Sequence, residues 1–238
     1  MGGAAALLLL VAGCALPPAP GDDAALEAYA EANDPFEPMN RYVFALNLFL
    51  DEMLLKPFAG YYHVALPDFA EDAVRNVVRN LHAPTILAND LFQGKIGRAG
   101  DTAGRFLVNS TVGVGGLIDV GADLGMRYHS EDFGQTLGTF GVGEGLYVML
   151  PLLGPSNTRD SVGRIVDYLL DPLTWVGYGL ALGYVNLARV TAEGLDTRAR
   201  NLDTLSKLEQ QSIDFYATVR SLYRQHRRDA IDDGQGMD

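Results

Sequence analysis

Nineteen of the chain's 27 glycines fall between Gly94 and Gly183, interleaved with long uncharged runs. Examples are FLVNSTVGVGGLI at 106–118 and LYVMLPLLGPSNT at 146–158. A glycine inside a helix costs about 1 kcal/mol relative to alanine, so this density argues against one uninterrupted helical bundle. It allows tight turns and close backbone approach instead, either in a loop-rich core or between helices packed in lipid. Hydrophobic residues make up 48% and charged residues only 20%, which leaves a large apolar surface to bury or to present to lipid. The net charge of −12 repels nucleic acid and anionic membrane surfaces, so Coulomb attraction cannot be the main source of membrane affinity. The acidic excess between Asp22 and Asp72 reads as a solvated face.

The first residues, MGGAAALLLLVAGC, place an apolar run at Leu7–Val11, then Ala12 and Gly13, then the single cysteine. That is the layout of a secretion signal, too short to span a bilayer and removed from the mature protein. Val11-Ala12-Gly13-Cys14 has the pattern of a lipobox, although no Lys or Arg precedes the apolar run. Residues 1–13 are therefore read as a lipoprotein signal peptide and Cys14 as the attachment point of a covalent N-terminal lipid. Each buried methylene adds about 0.8 kcal/mol, so two or three acyl chains anchor a protein stably where one does not. With no second cysteine an intramolecular disulfide is excluded, and packing alone must hold the fold. Ala15 and Leu16 lack the aspartate of an inner-membrane retention signal, which by analogy favours the outer membrane.

Residues 14–32, with Pro17, Pro18 and Pro20, read as a tether, and the folded body begins near Asn33. From Arg41 to Leu66 the pattern predicts helical pieces broken at Pro57 and Gly60. Residues 68–81 place Ala70, Val74, Val77, Val78 and Leu81 on one helical face, with Asp68, Glu71 and Asp72 in the first turn. Pro84 is expected to open a second short helix closed by Gly94, and a third helix is expected from about Gly97 to Asn109. Residues 172–188 carry no charge, yet seventeen helical residues reach only about 25 Å, short of a hydrocarbon core of roughly 30 Å. The stretch suits a buried helix, or one dipping into a single leaflet with Trp175, Tyr178 and Tyr184 at headgroup level. Beyond Thr191, helical spacing resumes, and Arg220, Arg224, Arg227 and Arg228 gather where they complement a helix C-terminus or dock a partner. The tail DDGQGMD reads as disordered.

Catalytic patterns fail one by one. His63, His82, His129 and His226 are scattered without metal-ligand spacing, so no metal is expected. Gly154-Pro155-Ser156-Asn157-Thr158 lacks the last glycine of a nucleophile elbow, and Ser156 is read as the cap of the following helix. Gly141-Val142-Gly143-Glu144-Gly145 puts an acid where a dinucleotide phosphate would sit. No cofactor and no enzymatic activity are expected.

Four ordered blocks carry a family resemblance. The first is Asn33-Asp34-Pro35-Phe36-Glu37-Pro38-Met39-Asn40-Arg41, with Phe44 and Asn47 behind it. The second runs from Phe106 through Asn109 to Gly113, Gly115, Gly116, Asp119 and Val120. The third is Asp132-Phe133-Gly134-Gln135-Thr136-Leu137-Gly138, continuing to Gly143. The fourth is Leu150 to Ser156, with Gly154, ending in Arg159, Asp160 and Gly163. A weaker echo lies at Glu193–Ala199. Together these resemble the MlaA (VacJ) lipoprotein family over roughly residues 14–230. Leu146 and Phe140 depart from the family pattern, where a proline and a tryptophan or tyrosine are expected.

The resemblance implies a mostly α-helical, ring-shaped body at 33–190, lying in one leaflet of the outer membrane around an amphipathic channel, with a C-terminal periplasmic helix and tail at 191–238. It implies removal of mislocalised phospholipid from the outer leaflet and delivery to a periplasmic carrier, with a trimeric porin as a further partner. Segments 113–119 and 138–145 are candidates for channel walls. Asp34 is expected to cap a helix starting at Pro35, Asn40 and Arg41 to donate to backbone carbonyls or phosphate, and Arg159 and Asp160 to pair locally. A lipid-modifying envelope enzyme and a purely structural porin-associated lipoprotein are the alternatives.

Overall fold

The computed structural model describes residues 32–176 and 180–233, together with Leu26 and Tyr29. The signal peptide, Cys14, most of the tether, Tyr178 and the last five residues lie outside the described residues. The body is mostly helical, as expected.

Helix α1 (Glu37–Leu50) runs through one π-helical turn (Asp51–Leu55) directly into α2 (Lys56–Ala65). The expected breaks at Pro57 and Gly60 do not occur. Pro57 has no N–H for the carbonyl four residues back and its ring would clash there, and the wider turn in front of it absorbs that conflict. The Lys56 N–H bonds to Asp51 O across this turn. The run stops at Leu66, whose extended backbone (φ −101°, ψ 136°) is what a following proline imposes.

Helix α3 (Asp68–Phe92) contains Pro84 in its interior, so the two helices expected from the sequence are one. An interior proline costs about 3 kcal/mol. Here α3 packs extensively against α4 (Ile96–Thr111), with Val78, Ala83, Ile86 and Ala99 buried, and tertiary packing outweighs the local penalty. Gly94, at φ +72°, closes α3 and turns the chain into α4.

After a loop at 112–119 come α5 (Val120–Asp123) and α6 (Phe133–Thr139), capped by the side chains of Asp119 and Asp132. The run at 146–158 then forms a two-stranded antiparallel hairpin, β1 (Tyr147–Leu150) with β2 (Gly154–Asn157). Asn157, not Ser156, caps α7 (Thr158–Leu170), accepting from the Asp160 N–H. Ser156 is instead a fully buried strand residue. The uncharged stretch enters two helices, α8 (Pro172–Val176) and α9 (Leu180–Arg200). Helix α9 runs straight across the boundary drawn at residue 190, so no structural division falls there. Helices α10 (Leu202–Gln211) and α11 (Phe215–Ile231) complete the chain.

The interior reverses the usual arrangement. The apolar core is small: Tyr147, Met149 and Tyr216, with Val43, Phe44 and Tyr223 packed against it. Phe44 and Tyr216 meet edge to face at 5.5 Å. Much of what is buried is polar. Asp90, fully buried, accepts from Thr102 Oγ1 at 2.7 Å and faces His129 Nε2 at 2.8 Å. Asn89, also fully buried, accepts from Thr136 Oγ1 at 2.8 Å and donates to Asp167 at 2.9 Å. Large apolar side chains stand outside instead. Tyr42, Phe49, Met53, Phe58, Tyr61 and Val64 are exposed along α1, the π turn and α2, with Val64 at 86%. Val162, Ile165, Tyr168 and Leu169 form a second exposed face on α7. On α9, Tyr184, Leu187 and Val190 are exposed, so of the two expectations for this stretch the buried helix does not hold for its described face, and the helix dipping into one leaflet stays open. No helix of the described residues is long and apolar enough to cross a membrane.

Candidate functional site

The family blocks converge on the hairpin and α11. Asn33, at φ +49°, turns the chain so that Asp34 points inward rather than capping a helix. Helix α1 starts at Glu37 behind Phe36 and has no side-chain cap. The buried Asp34 carboxylate accepts from Asn40 Nδ2 at 2.7 Å, from Arg220 Nη1 at 2.8 Å and from the Tyr216 hydroxyl. Asn33, Asn40 and Asn47 stand seven residues apart and all bind the backbone of the hairpin. Asn33 Nδ2 donates to Gly145 O at 2.6 Å. Asn40 accepts from Met149 N at 2.9 Å and donates to Tyr147 O at 3.2 Å. Asn47 accepts from Leu152 N at 2.8 Å and donates to Leu150 O at 3.0 Å. Donation from Asn40 to backbone carbonyls is therefore seen, but Arg41 pairs with carboxylates, Glu37 at 2.7 Å and Asp214 at 2.5 Å. Pro35 and Phe36 shape the turn into α1.

The third and fourth blocks meet where α6 crosses α7. A Cβ on Gly163 would lie 2.4 Å from Gly134 N, and one on Gly134 would lie 2.6 Å from Asp160 Oδ1. Only glycine permits this approach. Arg227 of α11 clamps both blocks, with a fork to Asp132 at 2.6 and 2.9 Å and its Nε 2.8 Å from Asp160. Asp160 also takes the Tyr223 hydroxyl at 2.5 Å and Arg159 Nε at 2.9 Å, so the expected local Arg159–Asp160 pair is present. Burial alone would raise both Asp132 and Asp160, but hydrogen bonds and the Arg227 charge hold them below the usual carboxylate range. Arg224 pairs with Glu144 in the same way. Arg220, Arg224 and Arg227 are thus internal fasteners, whereas Arg228 is exposed. Gln135 is buried beside Asp132, Gly138 faces Ile231 of α11, and Gly154, at φ +77°, opens β2. The 138–145 segment packs near these fasteners and lines none of the cavities described below.

The second block lies elsewhere, beside α3. Arg105 holds Asp119 in a fork at 2.8 and 2.6 Å, and Asn109 donates to Asp119 at 3.0 Å and accepts from Gly121 N at 2.8 Å. Desolvation opposes the charge on Asp119, yet the Arg105 bonds lower its pKa. Gly115 and Gly116, at φ +70° and +94°, fold the 112–119 loop back onto Asn80.

This loop forms one wall of a cavity of about 930 Å³ between α3 and α9. Phe69, Val77 and Leu81 of α3, Leu117 and Ile118 of the loop and Val185 of α9 make it strongly apolar. A polar cavity of about 250 Å³ adjoins it across Val78, bordered by Arg75, Arg79, His82, Tyr128, Glu193 and Arg200. A third cavity of about 600 Å³, apolar and bordered by Leu54, Phe58, Leu152 and Val190, lies between the π turn and α9, and Asn47 reaches its edge. Asp119 and Asn47 therefore border cavities, whereas most of the other site candidates hold the frame together. The sequence reading missed the arginine stripe of α3. Its i, i+4, i+7 spacing at Arg75, Arg79 and His82, on the face away from Val74 and Val77, was the available clue.

Among the described residues, no group of three or more His, Cys, Asp or Glu side chains is placed to hold a metal. Ser156 sits with its hydroxyl 3.0 Å from Ser161 Oγ, and no histidine or carboxylate bonds to it among the described residues.

Residues 32–230 match the model of the MlaA lipoprotein family. The "Intermembrane phospholipid transport system lipoprotein MlaA" of Shigella flexneri is 35% identical over 85% of this chain and 79% of its own length. The protein of that name from Haemophilus influenzae is 31% identical over 87% and 82%, and an uncharacterized protein of Rickettsia bellii is 32% identical over 84% and 78%. A solved structure described as "Structural basis for maintenance of bacterial outer membrane lipid asymmetry" superposes with a TM-score of 0.74 at 33% identity. That match covers 83% of this chain and 98% of the other. On the family match, the identities and the shared fold, this chain belongs to the MlaA lipoprotein family.

Proposed function

We propose that the chain is the lipoprotein of an intermembrane phospholipid transport system in the cell envelope, anchored at Cys14 to the outer membrane and facing the periplasm. The single observation that carries this reading is the reversed body, with polar groups inside, exposed apolar faces outside, and an apolar cavity beside a charged one. Burying one Leu- or Phe-sized side chain is worth about 2 kcal/mol, so faces like those of α1, α2 and α7 are favoured against acyl chains over water. The chain lies in the inner leaflet as a ring of helices around a passage. It takes mislocalised phospholipid from the outer leaflet and hands it to a periplasmic carrier, in association with a trimeric porin. The headgroup needs a polar route, because an unpaired charge in hydrocarbon costs several kcal/mol, while the tails need only apolar walls. No bond is made or broken, so the protein works without catalysis or a cofactor.

Deleting the gene is expected to raise phospholipid in the outer leaflet, measured by surface labelling of intact cells. The wild-type chain restores the low level and Cys14→Ala does not. Unchanged surface phospholipid in the deletion strain would refute the transport reading.

A further inference from the structure

The polar cavity between α3 and α9 holds one cation, Arg79, that makes no ion pair among the described residues. Arg75 pairs with Asp72 at 2.7 Å. Arg200 pairs with Asp72 at 3.2 Å and Asp196 at 3.0 Å. His82 faces Glu193 at 3.1 Å, and Arg105, just behind, is held by Asp119 at 2.6 Å. Arg79 has no carboxylate within ion-pair distance among the described residues. Its guanidinium carbon stands over the Tyr128 ring, 4.2 Å from the centroid, and Arg105 approaches the same ring at 5.6 Å. Burial lowers the Arg79 pKa from its ordinary value, with Arg75 and Arg105 pushing the same way and Tyr128 and the more distant Asp119 opposing them. A half-buried guanidinium stacked on one aromatic face keeps its N–H edge for an acceptor.

What that edge faces is defined by position. Arg79 follows Val78, the residue shared by the polar cavity and the 930 Å³ apolar cavity. It also borders the narrow cleft between α3 and α4 that reaches Asn76, which in turn lines the apolar cavity. One helix therefore presents an apolar wall and, beside it, a free planar fork. A forked guanidinium matches two oxygens of a phosphate, and the apolar wall matches hydrocarbon attached to it.

We infer that Arg79, stacked on Tyr128, is the phosphate-binding subsite for a phospholipid whose acyl chains occupy the apolar cavity between α3, α9 and the 112–119 loop. This inference rests on the phospholipid reading above and adds the residue that reads the headgroup. Carboxylates of Glu193 and Asp196 border the same cavity, but each is already held, by His82 and Arg200 respectively.

The test is equilibrium binding to the purified full chain in dodecylmaltoside, with dioleoyl phosphatidylglycerol, dioleoylglycerol and inorganic phosphate as separate probes. Arg79→Gln is expected to weaken phosphatidylglycerol roughly 10- to 100-fold, the worth of a charge-assisted hydrogen bond or two, and to leave dioleoylglycerol unchanged. Arg79→Met, which keeps the apolar stem, replaces it should the glutamine variant unfold, and the same loss is expected. Phosphatidylglycerol binding that is equal in wild type and variant would overturn the assignment of Arg79 while leaving the transport reading intact. A wild-type chain that binds neither lipid would overturn both. Inorganic phosphate bound as tightly as the lipid, and lost in the variant, would assign the site to a free anion and overturn the lipid assignment.

Discussion

Replacing Arg227 with leucine is expected to cost about 4 kcal/mol of folding stability, read as a shift in the urea or guanidinium midpoint. The size follows from what one side chain holds. Arg227 links α11 to Asp132, the cap of α6, and to Asp160 in the first turn of α7. Its removal leaves a buried carboxylate at Asp160 beside Asp132, with Asp167 nearby. Asp167 is already pushed up to about 6, first by burial and also by the Asp132 charge. The effect should depend on pH with a definite sign. Asp132 and Asp160 are depressed in the folded wild type, so their stabilisation is present above the unfolded carboxylate pKa of about 3.9 and is lost as pH falls through their folded values. The gap between wild type and Arg227→Leu should therefore be largest near neutral pH and should narrow below about pH 4. A gap that is constant across that window would mean that Arg227 acts by packing and not by charge. Arg227→Lys keeps the charge but loses the fork and should fall between the two.

Gly163→Ala is expected to destabilise by about 3 kcal/mol, although alanine is the better helix former. The added methyl would stand 2.4 Å from Gly134 N and 2.7 Å from its Cα, and both atoms are backbone. Neither can rotate away. Helices α6 and α7 must part, and with them the Asp132–Arg227–Asp160 clamp that their contact assembles. Thermal or denaturant unfolding reads the loss directly. A variant as stable as wild type would mean that the crossing is looser than these distances indicate.

The two predictions also show what the sequence could and could not disclose. The helix at 68–81 was legible because Val74, Val77, Val78 and Leu81 repeat at helical spacing, and the helix expected at 97–109 was found at Ile96–Thr111. Pro84 and Pro57 misled because their penalties are local, whereas the packing and the π turn that absorb them depend on neighbours distant in sequence or on geometry wider than an α-turn. The hairpin was read as an apolar run because its strands are only four residues long, and while β1 alternates with Tyr147 and Met149 inside and Val148 and Leu150 half-buried, β2 does not alternate. Asn33, Asn40 and Asn47 were marked as candidates, but their task of holding hairpin backbone is invisible until residues more than a hundred positions away come alongside. The arginines of α11 were seen as a cluster. Their carboxylate partners lie far off in sequence, 80 positions for Arg224 and Glu144, 95 for Arg227 and Asp132 and 186 for Arg220 and Asp34, which no local pattern encodes.

Transport by this chain requires lipid contact by an inverted body. Its most direct test is photocrosslinking of the membrane-bound full chain with a phospholipid carrying a diazirine in one acyl chain. Labelling is predicted on Val77, Leu117 and Ala188 in the α3–α9 cavity and on the exposed faces of α1, α2 and α7, with the buried polar residues around Asp34 and Asp160 unlabelled. Label confined to the polar interior, or absent from both the cavity and the apolar faces, would contradict it.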